Sequence, residues 1–205
     1  MKKLRIVLAL VTATALYAVT AQAATFTCPP DATGATNFLG TAGADLFIGC
    51  VGNDAVHALA GDDDIDARAG DDQVDGGPGD DRAQAGPGDD TVLGGAGDDE
   101  LDGGSGADYL RGDNGRDELY GDTGNDIMVG GAGNDELQGG NGNDKLIGGP
   151  EADMISAGAG IDVIDARDKS VDEIACGAGK DLVMVDKHDK VGRDCEKVQR
   201  IGGRP

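Results

Sequence analysis

The stretch Gly94-Gly95-Ala96-Gly97-Asp98-Asp99-Glu100-Leu101-Asp102 is one copy of a nine-residue unit that fills residues 40–165. The 126 residues of this segment hold fourteen units without a slip, and Gly130-Gly131-Ala132-Gly133-Asn134-Asp135-Glu136-Leu137-Gln138 is a second clear copy. We number the positions 1 to 9 from the first glycine of the quoted copies. A fixed period of this kind indicates a fold more strongly than local propensity does.

Three positions of the unit carry the pattern. Position 4 is glycine in every copy but one, where Glu151 stands. Position 8 is always apolar, being Phe47, Val56, Ile65, Val74, Ala83, Val92, Leu101, Leu110, Leu119, Met128, Leu137, Leu146, Ile155 and Ile164. Position 6 is always aspartate, namely Asp45, Asp54, Asp63, Asp72, Asp81, Asp90, Asp99, Asp108, Asp117, Asp126, Asp135, Asp144, Asp153 and Asp162.

Each of these positions has a physical meaning. Glycine adopts positive φ at little cost, so the chain can turn tightly with its carbonyls bare. Positions 7 to 9 are too short for a helix but suit a three-residue strand whose middle side chain faces a core. One such strand buries little surface, so successive copies must stack. Aspartate beside bare carbonyls supplies the hard oxygen ligands that Ca²⁺ takes in sets of about six to eight.

At these residues the chain resembles the RTX, or hemolysin-type, calcium-binding nonapeptide G-G-x-G-x-D-x-U-x. The resemblance covers 126 of the 205 residues. It implies an all-β fold, a right-handed parallel β-roll in which two units make each 18-residue turn. The fourteen units would then form about seven turns with short end caps, in a rod roughly 34 Å long. Alternate copies would lie on opposite sheets.

The resemblance also implies where calcium binds. In the family each ion lies between loops of neighbouring turns, so the fourteen aspartates would pair in steps of 18 residues and form at most about 12 shared sites. The carbonyls expected to contribute lie near Gly76, Gly79, Gly94, Gly97, Gly103, Gly106, Gly112, Gly115, Gly121, Gly124, Gly130, Gly133, Gly139 and Gly142. Units between residues 76 and 147 match best. Leu59 and Arg68 replace the second glycine of two early units, and Glu151 puts the Asp153 loop in doubt.

The charge of the chain agrees with this interpretation and limits the partners. The whole chain carries −22 at pH 7, and residues 40–165 hold 30 Asp and Glu against 5 Lys and Arg. Nucleic acid is therefore an unsuitable partner, because both surfaces are strongly negative. A disordered acidic tract is the alternative, but such tracts do not hold Asp, Gly and an apolar residue in phase. We expect that description to fit the chain only without calcium.

The first 23 residues have the pattern of a secretory signal peptide. Lys2, Lys3 and Arg5 precede an apolar run over 6–20, and Ala21-Gln22-Ala23 is a small-residue cleavage site. The run is short for a membrane span, which needs about 20 apolar residues. The alternative is that the run is retained as an anchor. We predict cleavage, a secreted, extracellular mature chain beginning at Ala24, and no membrane span after cleavage.

The segments on either side of the repeats are interpreted as caps. Residues 24–39 lack the period and form an N-terminal cap, with Phe26, Phe38 or Leu39 covering the first turn. Residues 166–205 shift phase by one residue and form a degenerate final turn and a C-terminal cap, in which calcium at Asp172 is not expected because the loop lacks glycine. This tail holds nine Lys and Arg, which would lie against the acidic roll. A basic binding patch is the alternative.

The four cysteines predict two disulfides in an exported chain. Cys28 with Cys50 and Cys176 with Cys195 are favoured among three pairings because they close short loops. Free or metal-binding thiols are the alternative.

The sequence leaves the biological role open among three classes. Leu93, Ile127, Val129 and Ile147 fall on the outer face of one sheet, which suggests docking to a cell envelope, matrix or second copy; scattered surface residues are the alternative. A structural or adhesive module is the first hypothesis, and a calcium buffer or acidic matrix protein is the second. An accessory part of an enzyme or toxin is the third. We predict no enzyme, since no nucleophile elbow or zinc-binding helix motif occurs.

Overall fold

The computed structural model describes residues 22–29 and 34–200, and these residues form strands without any helix. The predicted signal peptide, apart from Gln22 and Ala23, lies outside the described residues. The strands are β1 (Thr25–Thr27), β2 (Asn37–Leu39), β3 (Leu46–Ile48), β4 (Ala55–His57), β5 (Asp64–Asp66), β6 (Gln73–Pro78), β7 (Arg82–Pro87), β8 (Thr91–Ala96), β9 (Glu100–Ser105), β10 (Tyr109–Asn114), β11 (Glu118–Tyr120), β12 (Ile127–Ala132), β13 (Glu136–Asn141), β14 (Lys145–Ile147), β15 (Met154–Gly160), β16 (Val163–Ala166), β17 (Glu173–Gly179), β18 (Leu182–Val185), β19 (Lys190–Val191) and β20 (Lys197–Arg200).

The strands alternate between two parallel sheets. The odd-numbered strands form one ten-stranded sheet, the odd sheet, and the even-numbered strands form the other, the even sheet. Within the repeats each strand pairs with the strand 18 residues further on, as Leu119 pairs with Leu101 and Leu137. The chain is therefore a parallel β-solenoid with two strands to a turn, and the predicted fold class is confirmed.

The solenoid has about ten turns, so the prediction of about seven was too low. The fourteen units supply seven turns, from β3 to β16. The N-terminal segment adds a turn through β1 and β2, and the C-terminal segment adds two through β17 to β20. These segments keep few of the nonapeptide glycines, among them Gly34, Gly177 and Gly179, but they keep an inward apolar residue in most strands, which is enough for pairing. At about 4.8 Å per turn the ten turns make a stack about 48 Å long.

The core is a double column of position-8 side chains. Every one of them is at most 3% exposed, including the small Ala83. At the N-terminal end Phe26 stacks on Phe47 with ring centroids 4.8 Å apart. Phe38 meets the same ring edge-on at 6.3 Å, whereas Leu39 is 57% exposed. The two phenylalanines, and not Leu39, therefore cover this end of the core.

Two disulfides hold the ends of the solenoid, and the favoured pairing is confirmed. Cys28 is bonded to Cys50, which joins the first turn to the second. Cys176 is bonded to Cys195, which joins the ninth turn to the tenth. No described cysteine is free.

Glycine is needed where one loop stacks on the next. At position 4, Gly79 has φ of 144°, and a Cβ there would lie 1.9 Å from the carbonyl oxygen of Gly61 in the preceding turn. Five non-glycine residues of the repeats also have positive φ, namely Leu59, Arg68, Asp113 and Asp122 at position 2 and Glu151 at position 4. Such a conformation costs a non-glycine residue about 1 kcal/mol or more.

No helix within residues 22–29 and 34–200 is long and apolar enough to cross a membrane.

Candidate metal-binding loops

The fourteen aspartates at position 6 lie in two columns along the edges of the solenoid. One column precedes the strands of the odd sheet, and the other precedes those of the even sheet. Every one of them is at most 3% exposed. Aspartate is rarely buried without a partner, so the surroundings of each carboxylate oxygen decide what the columns can do.

One carboxylate oxygen of each aspartate, Oδ1, takes part in the hydrogen bonds that join neighbouring turns. In twelve of the fourteen aspartates, from Asp63 to Asp162, it accepts a hydrogen bond from the backbone N–H of the aspartate one turn earlier in the same column. The Asp99 N–H donates to Asp117 Oδ1 at 2.9 Å, and the Asp108 N–H donates to Asp126 Oδ1 at 2.9 Å. The same bond joins Asp153 to Asp172 and Asp162 to Asp181, where the separation is 19 residues. Each column is therefore a continuous chain of amide-to-carboxylate bonds.

The other oxygen, Oδ2, is buried without a hydrogen-bond partner in most loops. Among the described residues this holds for Asp63, Asp72, Asp81, Asp90, Asp99, Asp108, Asp117, Asp126, Asp135, Asp144, Asp153 and Asp162 of the repeats, and for Asp172 and Asp181 beyond them. Asp45 and Asp54 differ, because the backbone N–H groups of Thr41 and Cys50 donate to their Oδ2 atoms at 2.6 Å. Buried polar atoms in proteins are nearly always hydrogen-bonded, so unpartnered oxygens in this number need an explanation.

The space beside these oxygens is lined by glycine and backbone carbonyls. A Cβ on Gly112, at position 1, would lie 2.1 Å from Asp117 Oδ2 and 2.6 Å from the carbonyl oxygen of Gly130. A Cβ on Gly121 would similarly lie 2.7 Å from Asp126 Oδ2 and 2.6 Å from the carbonyl oxygen of Gly139. The carbonyl oxygens of Gly130 and Gly139, two of the predicted position-1 set, therefore lie beside the carboxylates of Asp117 and Asp126. Position-4 carbonyls point instead toward the position-4 glycine of the next turn.

Burial raises the pKa values of these carboxyls. The largest cause is desolvation, with neighbouring aspartates of the same column or loop adding to it. The pKa is raised to about 6 for Asp72, Asp81, Asp117 and Asp172, to about 7 for Asp90, Asp99 and Asp126, and to about 8 for Asp153. Ionised carboxylates are therefore disfavoured in these loops unless a positive charge accompanies them.

The donor atoms fit a hard cation. No three side chains of His, Cys, Asp or Glu in the described residues lie close enough to hold a metal ion by themselves. A site here must therefore combine aspartate Oδ2 atoms with backbone carbonyls, a purely oxygen set of the type that Ca²⁺ prefers. Consecutive aspartates of one column and the position-1 glycine carbonyls between them would hold the ion. Bound Ca²⁺ would supply the positive charge that these oxygens lack.

Two features of the loops were not evident from the sequence. The sequence pattern did not predict that the position-2 N–H bonds to Oδ2 in the Asp45 and Asp54 loops. The available signal was that position 2 of those units is Thr41 or Cys50 and not glycine. The unpartnered oxygens of Asp172 and Asp181 were also missed. The retained apolar residues Ile174 and Val183, two positions after each aspartate, were the available signal.

The predicted docking residues lie on the outer face of the even sheet. Register places Leu93, Arg111, Val129 and Ile147 in one row, so an arginine separates Leu93 from the other apolar residues. Ile127 is in the neighbouring row and is 41% exposed. The apolar patch is therefore small and centred on Ile127 and Val129.

Comparison with known proteins identifies the repeat. No curated protein matches the chain. The RTX calcium-binding nonapeptide repeat (four copies) matches at residues 39–74, 51–83, 75–110, 102–137 and 129–164. Together these matches extend over residues 39–164, which is more than half of the 205 residues. The chain belongs to the RTX calcium-binding nonapeptide repeat family.

Proposed function

We propose that this is a secreted calcium-binding protein whose solenoid folds when calcium binds, and that it serves as a structural or adhesive module. The observation that carries the proposal is the set of twelve repeat aspartates whose Oδ2 atoms are buried and unpartnered. Leaving a buried polar group without a partner costs about 1–3 kcal/mol, and more when the group is charged. A fold that repeats this cost in twelve loops is suited to receive cations there.

The same groups oppose folding when no cation is present. Carboxylates of one column are neighbours along the stack, and residues 40–165 hold 30 acidic against 5 basic residues. Two like charges a few ångströms apart in a weakly solvated loop repel strongly. Folding therefore depends on compensation of these charges, and the free energy of ion binding contributes to the free energy of folding.

Export supports calcium as the ion. The basic start, apolar run and small-residue site of residues 1–23 are typical of a secretory signal. Two disulfides are typical of a protein that works in an oxidising compartment. Extracellular calcium modules work in the range of about 10⁻⁴ to 10⁻³ M, so sites of modest affinity would be filled outside the cell.

The direct test is a calcium titration of residues 24–205 followed by far-ultraviolet circular dichroism, with magnesium as the matched ion. We expect a cooperative change from coil to β-sheet with calcium and little change with magnesium, which demands a tighter octahedral geometry. A β-sheet signal that persists unchanged after chelation would contradict the coupling of folding to calcium.

The structural or adhesive role is supported by the outer face of the even sheet. The exposed Ile127 and the half-buried Val129 form a small apolar patch there, whereas the odd sheet presents Glu100, Glu118 and Glu136 in one row. The acidic row favours the second candidate, a calcium buffer or acidic matrix protein. Sedimentation with cell-envelope fragments distinguishes the two, because Ile127→Lys with Val129→Lys should abolish envelope binding or self-association and leave calcium binding intact. We propose no enzymatic role for the chain.

A further inference from the structure

The two ends of the aspartate columns differ, and the difference does not follow the sequence motif. Asp45 and Asp54 match the nonapeptide, yet both of their carboxylate oxygens are hydrogen-bonded by backbone N–H groups. Asp172 and Asp181 lie after the last matched residue, 164, yet each is fully buried with Oδ2 unpartnered. The loops with unpartnered carboxylate oxygens therefore begin later than the matched repeats and extend beyond them toward the C-terminus.

We propose that the calcium-binding columns extend one turn beyond the repeats to Asp172 and Asp181, and that they do not include Asp45 and Asp54. This inference rests on the proposed function, because it assigns which loops bind the ion. It goes beyond the family match, which ends before Asp172 and includes Asp45 and Asp54.

The Asp45 and Asp54 loops are closed without a cation. Asp54 accepts from the N–H of Thr36 at Oδ1 and from the N–H of Cys50 at Oδ2, both at 2.6 Å. Asp45 accepts from the N–H groups of Ala24 and Thr41 at the same distance. A carboxylate that accepts two or more backbone N–H bonds is stabilised as the anion by those bonds. Binding an ion would require breaking the intra-loop bond, so these loops act as structural caps.

Asp172 continues the odd-sheet column with carboxylates on both sides. Its Oδ1 accepts from the N–H of Asp153, and its own N–H approaches Asp189 Oδ1 at 3.4 Å. Asp168 and Asp186 are in the same pair of loops, where they accept from the backbone N–H groups of Ser170 and Lys169. The loops beside Asp172 thus carry three further side-chain carboxylates, those of Asp168, Asp186 and Asp189. An acidic loop of this kind offers the oxygen donors that Ca²⁺ takes.

Asp181 continues the even-sheet column in the same way. Its Oδ1 accepts from the N–H of Asp162 at 3.0 Å, and its own N–H approaches Glu196 Oε2 at 3.3 Å. Neither C-terminal loop has glycine at position 1. In the Asp181 loop this position is occupied by Cys176, and in the Asp172 loop it is occupied by Ala166; both residues are buried. These side chains narrow the space that glycine leaves open, so the two sites have lower affinity than the central ones and fill last.

The test compares two matched double variants of the chain 24–205. Calcium bound at saturation is counted by equilibrium dialysis for the wild type, for Asp172→Asn with Asp181→Asn, and for Asp45→Asn with Asp54→Asn. We expect the C-terminal pair to bind fewer ions than the wild type, losing at least one from each column, and the N-terminal pair to bind as many as the wild type. Circular dichroism at saturating calcium checks that each variant has folded.

The inference fails if the C-terminal pair keeps the wild-type stoichiometry, or if the N-terminal pair loses ions while folded. A wild-type chain that binds no calcium would instead overturn the proposed function, and the inference with it. Should a variant not fold, anomalous diffraction from wild-type crystals grown with calcium decides the matter. Peaks beside Asp172 and Asp181 with none beside Asp45 and Asp54 support the inference, and the reverse pattern overturns it.

Discussion

Replacing Asp126 by asparagine should have opposite effects on stability with and without calcium. The Asp126 carboxylate accepts one hydrogen bond at Oδ1, from the N–H of Asp108 at 2.9 Å, while Oδ2 is buried and unpartnered. Burial, with Asp144 and Asp108 adding to it, raises the pKa of this carboxyl to about 7. An asparagine keeps the first hydrogen bond through its amide oxygen and removes the buried charge.

The size of each effect follows from the surroundings of Oδ2. Without calcium, the Asp126→Asn variant would place an amide N–H near the carbonyl oxygen of Gly139, since Oδ2 and that oxygen lie on the same side of Gly121. Removing an unpartnered buried oxygen should therefore stabilise the metal-free fold by about 1–3 kcal/mol. With calcium the variant loses a ligand. At a free concentration about 100-fold above the dissociation constant, the loss of one bound ion costs about 2.7 kcal/mol.

The matched control is Asp54→Asn. Both oxygens of Asp54 accept backbone N–H bonds. Whichever way the asparagine amide is oriented, its NH₂ group therefore faces a backbone N–H group. This variant should be less stable than the wild type by about 1–2 kcal/mol in either condition. Stability is measured by urea unfolding at saturating calcium. With a chelator it is measured from the concentration of trimethylamine N-oxide needed for folding, since excluded osmolytes favour the compact state.

The reasoning would be refuted if Asp126→Asn destabilised the metal-free chain as much as Asp54→Asn does. The same holds if the variant kept the full stabilisation by calcium, because Oδ2 would then not be a ligand.

Three further outcomes are expected. Lowering the pH from about 8 to about 5 in chelator should increase the β-sheet content measured by circular dichroism. Carboxyls such as those of Asp99 and Asp153 have pKa values raised to about 7 and about 8 in the folded chain. A raised folded-state pKa adds stability at low pH, and this stability is lost as the pH rises through that pKa. Leu59→Gly should raise the free energy of unfolding by about 1 kcal/mol in calcium because Leu59 has φ of 84°, whereas the control Val51→Gly should not. Leu119→Ala should cost about 2–5 kcal/mol in calcium-saturated urea unfolding, because the side chain is 0% exposed in the core; a loss below about 1 kcal/mol would contradict a packed core at that level.

The repeat period predicted most of the fold because each position has one physical role. Stacking of the units buries the apolar residue at position 8, and the 18-residue turn that the family resemblance implied placed Leu101 beside Leu119 in one sheet. The turn count could not be predicted in the same way. Pairing of β1 with β3 depends on Phe26 stacking on Phe47, and the segment around Phe26 lacks the period.

The site was predictable in its residue types and not in its limits. Aspartate and glycine in phase predict oxygen ligands, but the sequence does not show whether a given carboxylate meets an N–H group or empty space. Asp54 and Asp63 both follow the motif, yet only Asp63 has an unpartnered Oδ2. The difference is that the position-2 N–H of Cys50 bonds to the aspartate of its own loop, a contact that the spacing of residues does not reveal.

The disulfide between Cys28 and Cys50 lies at the end of the solenoid where the carboxylates of Asp45 and Asp54 are already satisfied by backbone N–H groups. In a stack where each turn contacts mainly its neighbours, folding resembles a one-dimensional process with a costly first step. The covalent bond lowers the entropy cost of bringing the first two turns together, and no ion is required to neutralise them. We therefore expect the N-terminal end to act as the nucleus, from which each later turn is added as its loops bind calcium, giving the assembly a direction.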